Sequence, residues 1–344
     1  MFLNNAWYVA ELSSGLGEGL VPVRLLGRSL VLYRLSNGEV AALEDACPHR
    51  KLPLSMGRRR GDLVECGYHG MRFNSAGVCQ RVPGNQPIPD TARVRSLPAV
   101  DRQGFIWVWM GRPEQADPAR IFEIEHWNHS LWGRTEPDVM SVQCSYLHVT
   151  DNLLDPTHVA WVHPDSFGEL ACEQTPLRTV ALPDGVLVTR WMLDVDVAPF
   201  YLPYVRFAGK ADRQQHYEVQ FPGYARIRAV FTPAGIGDSP QAEMHPDSFV
   251  MDSYNFITPV DQRTTRYFWV QTRNFAVGDA EISRQFAASV RAAFEEDKAV
   301  LEAVQLGIES AQSPVQPLYI DAGPARFRRE LLRLIEVESV VDRS

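Results

Sequence analysis

The sequence is poor in lysine and has no long apolar run. Only three of its 34 basic residues are lysines, and acidic residues outnumber basic ones, giving a formal net charge of −8. A nucleic-acid-binding protein usually presents a basic face, so this charge balance argues against such a partner. No stretch approaches the roughly 18 consecutive apolar residues of a membrane-spanning helix. We therefore expect a protein that binds neither nucleic acid nor membrane.

Cysteines are also few, and their number, five, is odd. The N-terminal residues 1–8 lack a basic segment followed by an apolar core, so no signal peptide is expected. Cys79, Cys144 and Cys172 belong to no motif, and reduced, packed thiols are the expected state of such cysteines in the cytosol. These features predict a cytoplasmic protein.

The 344 residues are enough for two domains, each with its own core. A polar segment bracketed by prolines, residues 111–118, separates two regions of different character, and we place the domain boundary there, giving domains 1–112 and 113–344. Short strands with glycine turns are predicted in the first domain, and strands with long helices in the second, so the fold class is α+β. The main predicted strands are 25–34, 40–43, 94–100, 104–110 and 186–193, and the predicted helices are 142–162, 280–308 and 326–337.

Two short motifs in the first domain each combine one thiolate with one imidazole. They are Cys47-Pro48-His49 and, after sixteen intervening residues, Cys66-Gly67-Tyr68-His69. Two sulfur and two nitrogen ligands suit a Rieske [2Fe–2S] cluster, in which two cysteines hold one iron and two histidines the other. Tetrahedral zinc is the alternative, although zinc fingers usually pair cysteine with cysteine and histidine with histidine. The alternation of cysteine and histidine favours the Rieske cluster.

A second group of potential ligands lies between residues 151 and 163. Asn152, Asp155 and His158 are spaced by three residues, so a helix would bring them close together. His158 and His163 are five residues apart, and they converge only if the helix bends or ends between them. Two histidines alone are equally consistent with packed, hydrogen-bonded side chains.

Asp297 adds a carboxylate to this group. It lies in the apolar stripe of the predicted helix 280–308, where a charged side chain is costly unless it is paired or binds a metal. Two histidines and one carboxylate form the facial triad of non-haem Fe(II) oxygenases, which leaves coordination positions open. A salt bridge to an arginine is the alternative for Asp297. Asp155 precedes His158 by one helical turn and is expected to fix its tautomer, or else to cap a helix before Pro156.

The two motifs, the segment Asn-Leu-Leu-Asp-x-x-His-x₄-His and a late Glu-Glu-Asp-Lys resemble the Rieske non-haem iron oxygenases over nearly the whole chain. Within that family the sequence is most similar to aromatic-acid O-demethylases and methyl hydroxylases of the vanillate O-demethylase, dicamba monooxygenase and toluenesulfonate methyl-monooxygenase type. The resemblance implies an N-terminal all-β Rieske domain followed by a helix-grip catalytic domain with an antiparallel sheet and flanking helices. It assigns the cluster to Cys47, His49, Cys66 and His69, the mononuclear Fe(II) to His158, His163 and Asp297, and a position near that iron to Asn152.

The same resemblance implies a head-to-tail homotrimer in which Asp155 links His158 to His69 of the adjacent chain. It further implies insertion of one atom of O₂ into a methyl or methoxy group of a small aromatic acid, with vanillate-type O-demethylation favoured. The chain has no Gly-x-Gly-x-x-Gly segment for NADH, so the electrons must come from a separate reductase. The resemblance implies that this reductase has flavin and ferredoxin-type centres. Alternatives are methyl hydroxylation of an aryl sulfonate or carboxylate, ring cis-dihydroxylation, or a Rieske electron carrier or zinc-stapled binding module.

Two smaller expectations concern charged residues. An arginine or histidine in the pocket is expected to meet the acid group of the substrate. The run Arg58-Arg59-Arg60 follows the first motif and is interpreted either as a docking site for an acidic reductase domain or as a solvated loop face.

Overall fold

A computed structural model describes residues 1–239 and 241–341 of the chain. The chain forms two compact units. The first consists of Met1–Phe122, Thr258–Gln262 and the residues from Glu338 on, and the second of Glu123–Ile257 and Arg263–Val337. The functional domain boundary at 112/113 stays a prediction. Among the described residues, no helix is long and apolar enough to span a bilayer.

The first unit is built from three small antiparallel sheets. Their orders are β1-β11-β10, β2-β3-β4-β9 and β5-β6-β7-β8. The strands are β1 Trp7–Leu12, β2 Val21–Leu25, β3 Arg28–Arg34, β4 Val40–Glu44, β5 Arg58–Arg60, β6 Leu63–Glu65, β7 Arg72–Phe73, β8 Cys79–Arg81, β9 Ser96–Leu97, β10 Ala99–Arg102 and β11 Phe105–Trp109. The all-β character predicted for the first domain is confirmed.

The boundaries of two strands predicted for this unit are wrong. The predicted strand 25–34 is two strands, because Leu26 and Gly27 adopt positive φ and turn the chain between β2 and β3. The predicted strand 94–100 is interrupted at Pro98, which has no backbone N–H to continue a ladder. Hydrophobic alternation alone did not reveal either break.

The second unit contains one large antiparallel sheet and the helices that cover it. The sheet order is β12-β19-β18-β17-β16-β15-β14, and β13 also pairs with β19. The strands are β12 Gly133–Arg134, β13 Asp138–Val142, β14 Arg178–Leu182, β15 Gly185–Val195, β16 Ala211–Gln220, β17 Tyr224–Pro233, β18 Phe249–Pro259 and β19 Thr265–Arg273, and the helices are α1 Tyr146–Asn152, α2 Val159–Val162, α3 Ala171–Gln174, α4 Ala280–Ser310 and α5 Ala322–Val341. The predicted antiparallel sheet with flanking helices is confirmed.

The predicted continuous helix over 142–162 is wrong. Residues 138–142 form β13, and α1 begins only after Ser145, whose hydroxyl accepts a hydrogen bond from the Leu147 amide at 3.4 Å. The helix ends at Asn152, and a turn follows in which Pro156 disfavours a helical conformation for Asp155. The short helix α2 begins after this turn, so the predicted helix is replaced by a helix, a turn and a second helix.

The two C-terminal helices were predicted with shorter bounds. Helix α4 begins after Asp279, whose carboxylate accepts a hydrogen bond from the Ile282 amide at 2.9 Å, and it ends two residues beyond the prediction. Helix α5 begins at Ala322 and not at Arg326, because Gly323 and Pro324 lie inside its first turn and do not break it. Proline is tolerated there because the first N–H groups of a helix have no intrahelical partner.

Candidate active site

The two cysteine–histidine motifs form two loops with the same backbone hydrogen bonds. The Cys47 amide donates to the Leu52 carbonyl at 2.9 Å, and the Lys51 amide donates to the Cys47 carbonyl at 2.8 Å. In the second loop the Cys66 amide donates to the Met71 carbonyl at 2.8 Å, and the Gly70 amide to the Cys66 carbonyl at 3.0 Å. Lys51 and Gly70 both adopt positive φ. The second loop connects β6 to β7, so the sheet β5–β8 holds it in place.

The four side chains of these loops meet at one point of the first unit. Cys47 and Cys66 are buried, each 2% exposed, whereas His49 and His69 are exposed, with ring centroids 4.7 Å apart. Burial raises the pKa of the Cys47 thiol to about 11, so a thiolate at this position requires a bound cation near neutral pH. Two buried sulfur ligands and two solvent-facing imidazoles fit a cluster whose histidine iron lies towards the surface.

Three further side chains converge in the second unit. His158, His163 and Asp297 each offer one ligand atom, and these atoms all lie within 4.8 Å of one another. The Oδ1 atom of Asp297 is 3.4 Å from Nε2 of His158 and 3.1 Å from Nε2 of His163. The predicted convergence of the two histidines occurs because they flank α2, His158 just before its first residue and His163 just after its last. This donor set suits a divalent iron with open coordination positions.

Gly168 allows the turn that carries His163. The Gly168 amide donates to the His163 carbonyl at 2.8 Å, and a Cβ atom at this position would lie 2.4 Å from the Val159 carbonyl oxygen and 2.7 Å from that of His163. A side chain here would therefore displace the backbone of α2. Helix α2 thus requires glycine five residues after His163.

Asp297 occupies the buried stripe of α4, as its spacing predicted. The stripe also contains Phe286, Val290, Ala293 and Leu301. Burial by itself would raise the pKa of Asp297, but the hydrogen bond from His163 and the nearby His158 outweigh burial, so the pKa lies below its usual value. Asp297 is therefore an ionised carboxylate at neutral pH and meets two imidazoles. In the part of the chain that the structure describes, no arginine pairs with it, as the salt-bridge alternative would require.

Asn152 and Asp155 lie close to the two histidines. The Asn152 amide nitrogen donates to Oδ1 of Asp297 at 3.1 Å and lies 3.4 Å from Nε2 of His158. The Asp155 backbone carbonyl contacts Nδ1 of His158, while the Asp155 carboxylate is 4.0 Å from that nitrogen and accepts a hydrogen bond from the Thr157 amide at 2.9 Å. The backbone of Asp155 is thus the group that fixes the His158 ring within this chain.

One carboxylate that contacts His163 was not predicted from the sequence. Nδ1 of His163 lies 2.6 Å from Oε2 of Glu296, a half-exposed residue for which the sequence predicts no role. Burial by itself would lower the pKa of His163, but the carboxylates of Asp297 and Glu296 raise it above its usual value. The available signal was the run of acidic residues in the Glu-Glu-Asp sequence, which places a second carboxylate one residue before Asp297.

A cavity opens beside the three convergent side chains. The helices contribute Asn152, His158, His163, Phe294 and Asp297 to its walls, and the sheet contributes Tyr217, Ile227, Met251, Ser253 and Gln271. Phe167 and Tyr201, with ring centroids 5.8 Å apart, close another side. Among the described residues that line this cavity, the only basic side chains are the two histidines, so no arginine is placed to meet the acid group of the substrate here. Recognition of that group by a histidine stays a prediction.

The chain matches two family models in the order that its architecture suggests. Residues 6–98 match the Rieske [2Fe-2S] domain, and residues 142–337 match the vanillate O-demethylase oxygenase C-terminal domain. The chain belongs to the Rieske non-haem iron oxygenases. The family predicted from the sequence is confirmed, as is the oxidoreductase class.

Curated relatives of this Rieske oxygenase cover almost its full length. The toluene-4-sulfonate monooxygenase system iron-sulfur subunit of Comamonas testosteroni is 36% identical, over 98% of this chain and 99% of its own. The vanillate O-demethylase oxygenase subunit of a Pseudomonas species is 34% identical, over 98% and 96%. The dicamba O-demethylase oxygenase component of Stenotrophomonas maltophilia is 32% identical, over 98% and 99%.

Solved structures agree in fold. Dicamba monooxygenase bound to 3,6-dichlorosalicylic acid superposes with a TM-score of 0.90 at 28% identity, over 98% of this chain and 99% of the other. Dicamba monooxygenase with non-heme iron and dicamba superposes with a TM-score of 0.82 at the same identity and coverage. The cofactors predicted from the sequence, a Rieske cluster and a mononuclear iron, agree with the matched domain and with that structure. Use of O₂ and of NADH through a reductase fits the family.

Proposed function

We propose that the chain hydroxylates a methyl or methoxy group of an aromatic compound, using O₂ and electrons that a separate reductase takes from NADH. The observation that carries this proposal is the convergence of His158, His163 and Asp297 on a cavity with aromatic walls. Hydroxylation of an aryl methyl ether gives a hemiacetal, which separates into a phenol and formaldehyde. Hydroxylation of a ring methyl gives a stable alcohol. Methoxy and methyl substrates therefore leave different products.

We further propose that Cys47 and Cys66 bind one iron of the cluster, and His49 and His69 the other. The buried position of both sulfurs and the exposed position of both imidazoles support this assignment. The cluster, once bound, would carry single electrons. The protein's contribution is the pair of matched loops, whose backbone hydrogen bonds position the four ligands.

For the mononuclear iron we propose His158, His163 and Asp297 as ligands. Bound there, Fe(II) would supply the activation of O₂, with one oxygen atom entering the C–H bond and the other leaving as water after two electrons and two protons are added. Asn152 orients Asp297 through its amide N–H, and Glu296 orients His163 by holding Nδ1–H. The aromatic walls hold the ring of the substrate and exclude water from the carbon that is oxidised.

We also propose that the chain acts as a head-to-tail homotrimer in the cytoplasm, with domains 1–112 and 113–344 carrying the cluster and the mononuclear iron. In this arrangement Asp155 connects His158 to the His69 of an adjacent chain. The support within one chain is the position of Asp155: its carbonyl contacts His158, and its carboxylate is one-quarter exposed and accepts a hydrogen bond from one backbone amide.

The test is turnover of the iron-loaded protein with a surrogate reductase and NADH. The panel contains vanillate, other methoxybenzoates, and methyl-substituted aromatic acids and sulfonates, with formaldehyde and hydroxymethyl products measured together. Formaldehyde from a methoxy compound assigns O-demethylation, and a hydroxymethyl product alone assigns methyl hydroxylation. A cis-diol, or no oxygenated product from protein with intact iron and sulfide, would contradict the proposal.

A further inference from the structure

One row of side chains in the floor of the cavity crosses four neighbouring strands. Tyr217 on β16 pairs in register with Ile227 on β17, and Ile227 pairs with Ser253 on β18. Gln271 on β19 extends the row, because its Nε2 atom donates a hydrogen bond to the Ser253 hydroxyl at 3.0 Å. The row thus ends in an uncharged hydroxyl–amide pair, and the metal-ligand candidates stand on the helices opposite it.

Buried hydrogen bonds fix the orientation of the Gln271 amide. Its Oε1 atom accepts from the Thr135 hydroxyl at 3.0 Å, and its backbone amide donates to the same hydroxyl oxygen at 3.0 Å. The Ser253 hydroxyl donates in turn to Oδ1 of Asn255 at 3.2 Å, which also accepts from the Tyr267 hydroxyl at 2.9 Å. The network therefore determines which end of the Gln271 amide presents its nitrogen.

One donor of this network has no partner in the described chain. Nε2 of Gln271 carries two hydrogens, of which one is directed to Ser253. Gln271 is fully buried and Ser253 is 5% exposed, and both line the cavity. A buried N–H without a partner is costly, and an oxygen acceptor on a bound ligand would satisfy it.

We propose that Gln271, positioned by Ser253, is the specificity residue that binds an oxygen acceptor on the ring of the substrate, such as a sulfonyl or carbonyl oxygen. This inference rests on the proposed function and names the group that the substrate presents. Recognition here is by a hydrogen bond to an uncharged amide and not by an ion pair. An anionic substituent loses its hydration without gaining a counter-charge from Gln271 or Ser253, so it has no advantage over an uncharged substituent of the same shape.

The experiment compares ligands that differ only in charge or in the acceptor. Calorimetric titration of the holoenzyme measures Kd for p-toluenesulfonamide, p-toluenesulfonate and p-xylene, which has no oxygen. We expect the sulfonamide to bind no more than about threefold more weakly than the sulfonate. We expect Gln271→Leu to weaken sulfonamide binding about tenfold and to leave p-xylene binding unchanged.

Control variants separate this role from a general effect on the cavity. Ile227→Val changes the same row without removing a donor, so it should weaken all three ligands alike. Ser253→Ala removes the anchor of Gln271 and gives a second test if Gln271→Leu does not fold; it should weaken the sulfonamide selectively. A sulfonate preference greater than about threefold, or equal weakening of the sulfonamide and p-xylene by Gln271→Leu or by Ser253→Ala, would overturn the proposal.

Product analysis on the same samples distinguishes this inference from the proposed function. If the sulfonamide binds through Gln271 but no oxygenated product forms from any ligand, the subsite stands and the hydroxylase assignment falls. If hydroxymethyl products form but the sulfonate is strongly preferred, the hydroxylase assignment stands and the subsite falls.

Discussion

His163 is held between two consecutive carboxylates of α4. Its Nδ1 atom lies 2.6 Å from Glu296, and its Nε2 atom lies 3.1 Å from Asp297. One ring nitrogen is thus kept protonated by Glu296 while the other is directed at the candidate metal site. A carboxylate on the outer nitrogen of a metal-binding histidine fixes its tautomer and raises its basicity.

Replacing Glu296 by glutamine should weaken metal binding at the second site. We expect the affinity of that site for Fe(II) or Co(II) to fall about 10- to 100-fold, because the negative charge that supports His163 is lost. Equilibrium competition with a chelator measures this affinity, and the visible spectrum of the cluster should not change. Glu295→Gln is the matched control, since within the described part of the chain Glu295 pairs with Lys298 alone, at 3.8 Å. Equal affinities in the two variants would contradict the role of Glu296.

The cysteines allow a similar comparison in the first unit. Cys66→Ser should abolish the visible absorption of the cluster and its acid-labile sulfide, because one iron loses a thiolate ligand. Cys79→Ser is the control: Cys79 is also buried, but its thiol donates to the Arg81 carbonyl at 3.2 Å. This variant should retain the full spectrum. Loss of the cluster in both variants would mean that the substitutions act by disrupting the fold, and it would contradict the specific role of Cys66 as a ligand.

A buried ion pair supports the wall of the cavity. Arg213 donates to Glu169 at 2.9 Å and lies beneath Tyr201, with its guanidinium carbon 5.5 Å from the ring centroid. Glu169→Ala should lower the free energy of unfolding by about 3 kcal/mol, because a buried charge loses its partner. Asp196→Ala removes the partner of Lys210 at the surface and should cost far less, because solvent screens an exposed ion pair. Urea unfolding of both variants tests the difference, and equal losses would contradict the account.

Glu218 should contribute stability that depends on pH. Hydrogen bonds from His216 and Gln220 and the charge of Arg226 outweigh burial and lower the pKa of Glu218 to about 2. The folded state thus prefers the ionised form, and its contribution is present above the unfolded pKa near 4.5 and is lost as pH falls towards 2. Glu218→Gln should therefore lower the free energy of unfolding by roughly 1 kcal/mol at pH 7, allowing for solvent screening, and by less below pH 4.5. A difference that does not vary with pH would contradict this assignment.

The sequence was most informative where ligand chemistry restricts spacing. The alternation of cysteine and histidine was sufficient to predict the cluster loops, since each motif is local and closes within six residues. Asp297 was found because a carboxylate in an apolar helical stripe is unusual. In both cases the signal lies within one turn or one helix, so no tertiary information was needed.

Features that depend on tertiary contacts were missed. The segment 142–162 has a helical pattern, but Asp155-Pro156 divides it into α1, a turn and α2. The contact between Glu296 and His163 joins residues 133 positions apart, and Glu296 lies on the exposed side of α4, so helical periodicity gives no sign of this contact. The row from Tyr217 to Gln271 depends on strand register, which alternation within single strands does not determine. A buried glutamine in the apolar run Trp269-Val270-Gln271 was the one available signal.

The run Arg58-Arg59-Arg60 is another feature whose structure depends on tertiary contacts. Arg58 and Arg60 lie on one side of β5 and pair with the buried Glu65 at 2.9 and 3.4 Å. Arg59 points to the other side, where it lies over the Tyr33 ring at 5.9 Å. The run is therefore a strand and not a loop, although Arg58 and Arg60 are exposed to solvent as the second interpretation expected. Docking of a reductase there stays a prediction.

One chain should carry two separate iron sites. The most direct measurement is the iron and acid-labile sulfide content of the purified wild-type protein and of Asp297→Ala. We expect about three irons and two sulfides per chain for the wild type. For the variant we expect about two irons and two sulfides, with an unchanged cluster spectrum and no turnover. Zinc without sulfide in the wild type, or loss of sulfide together with iron in the variant, would contradict it.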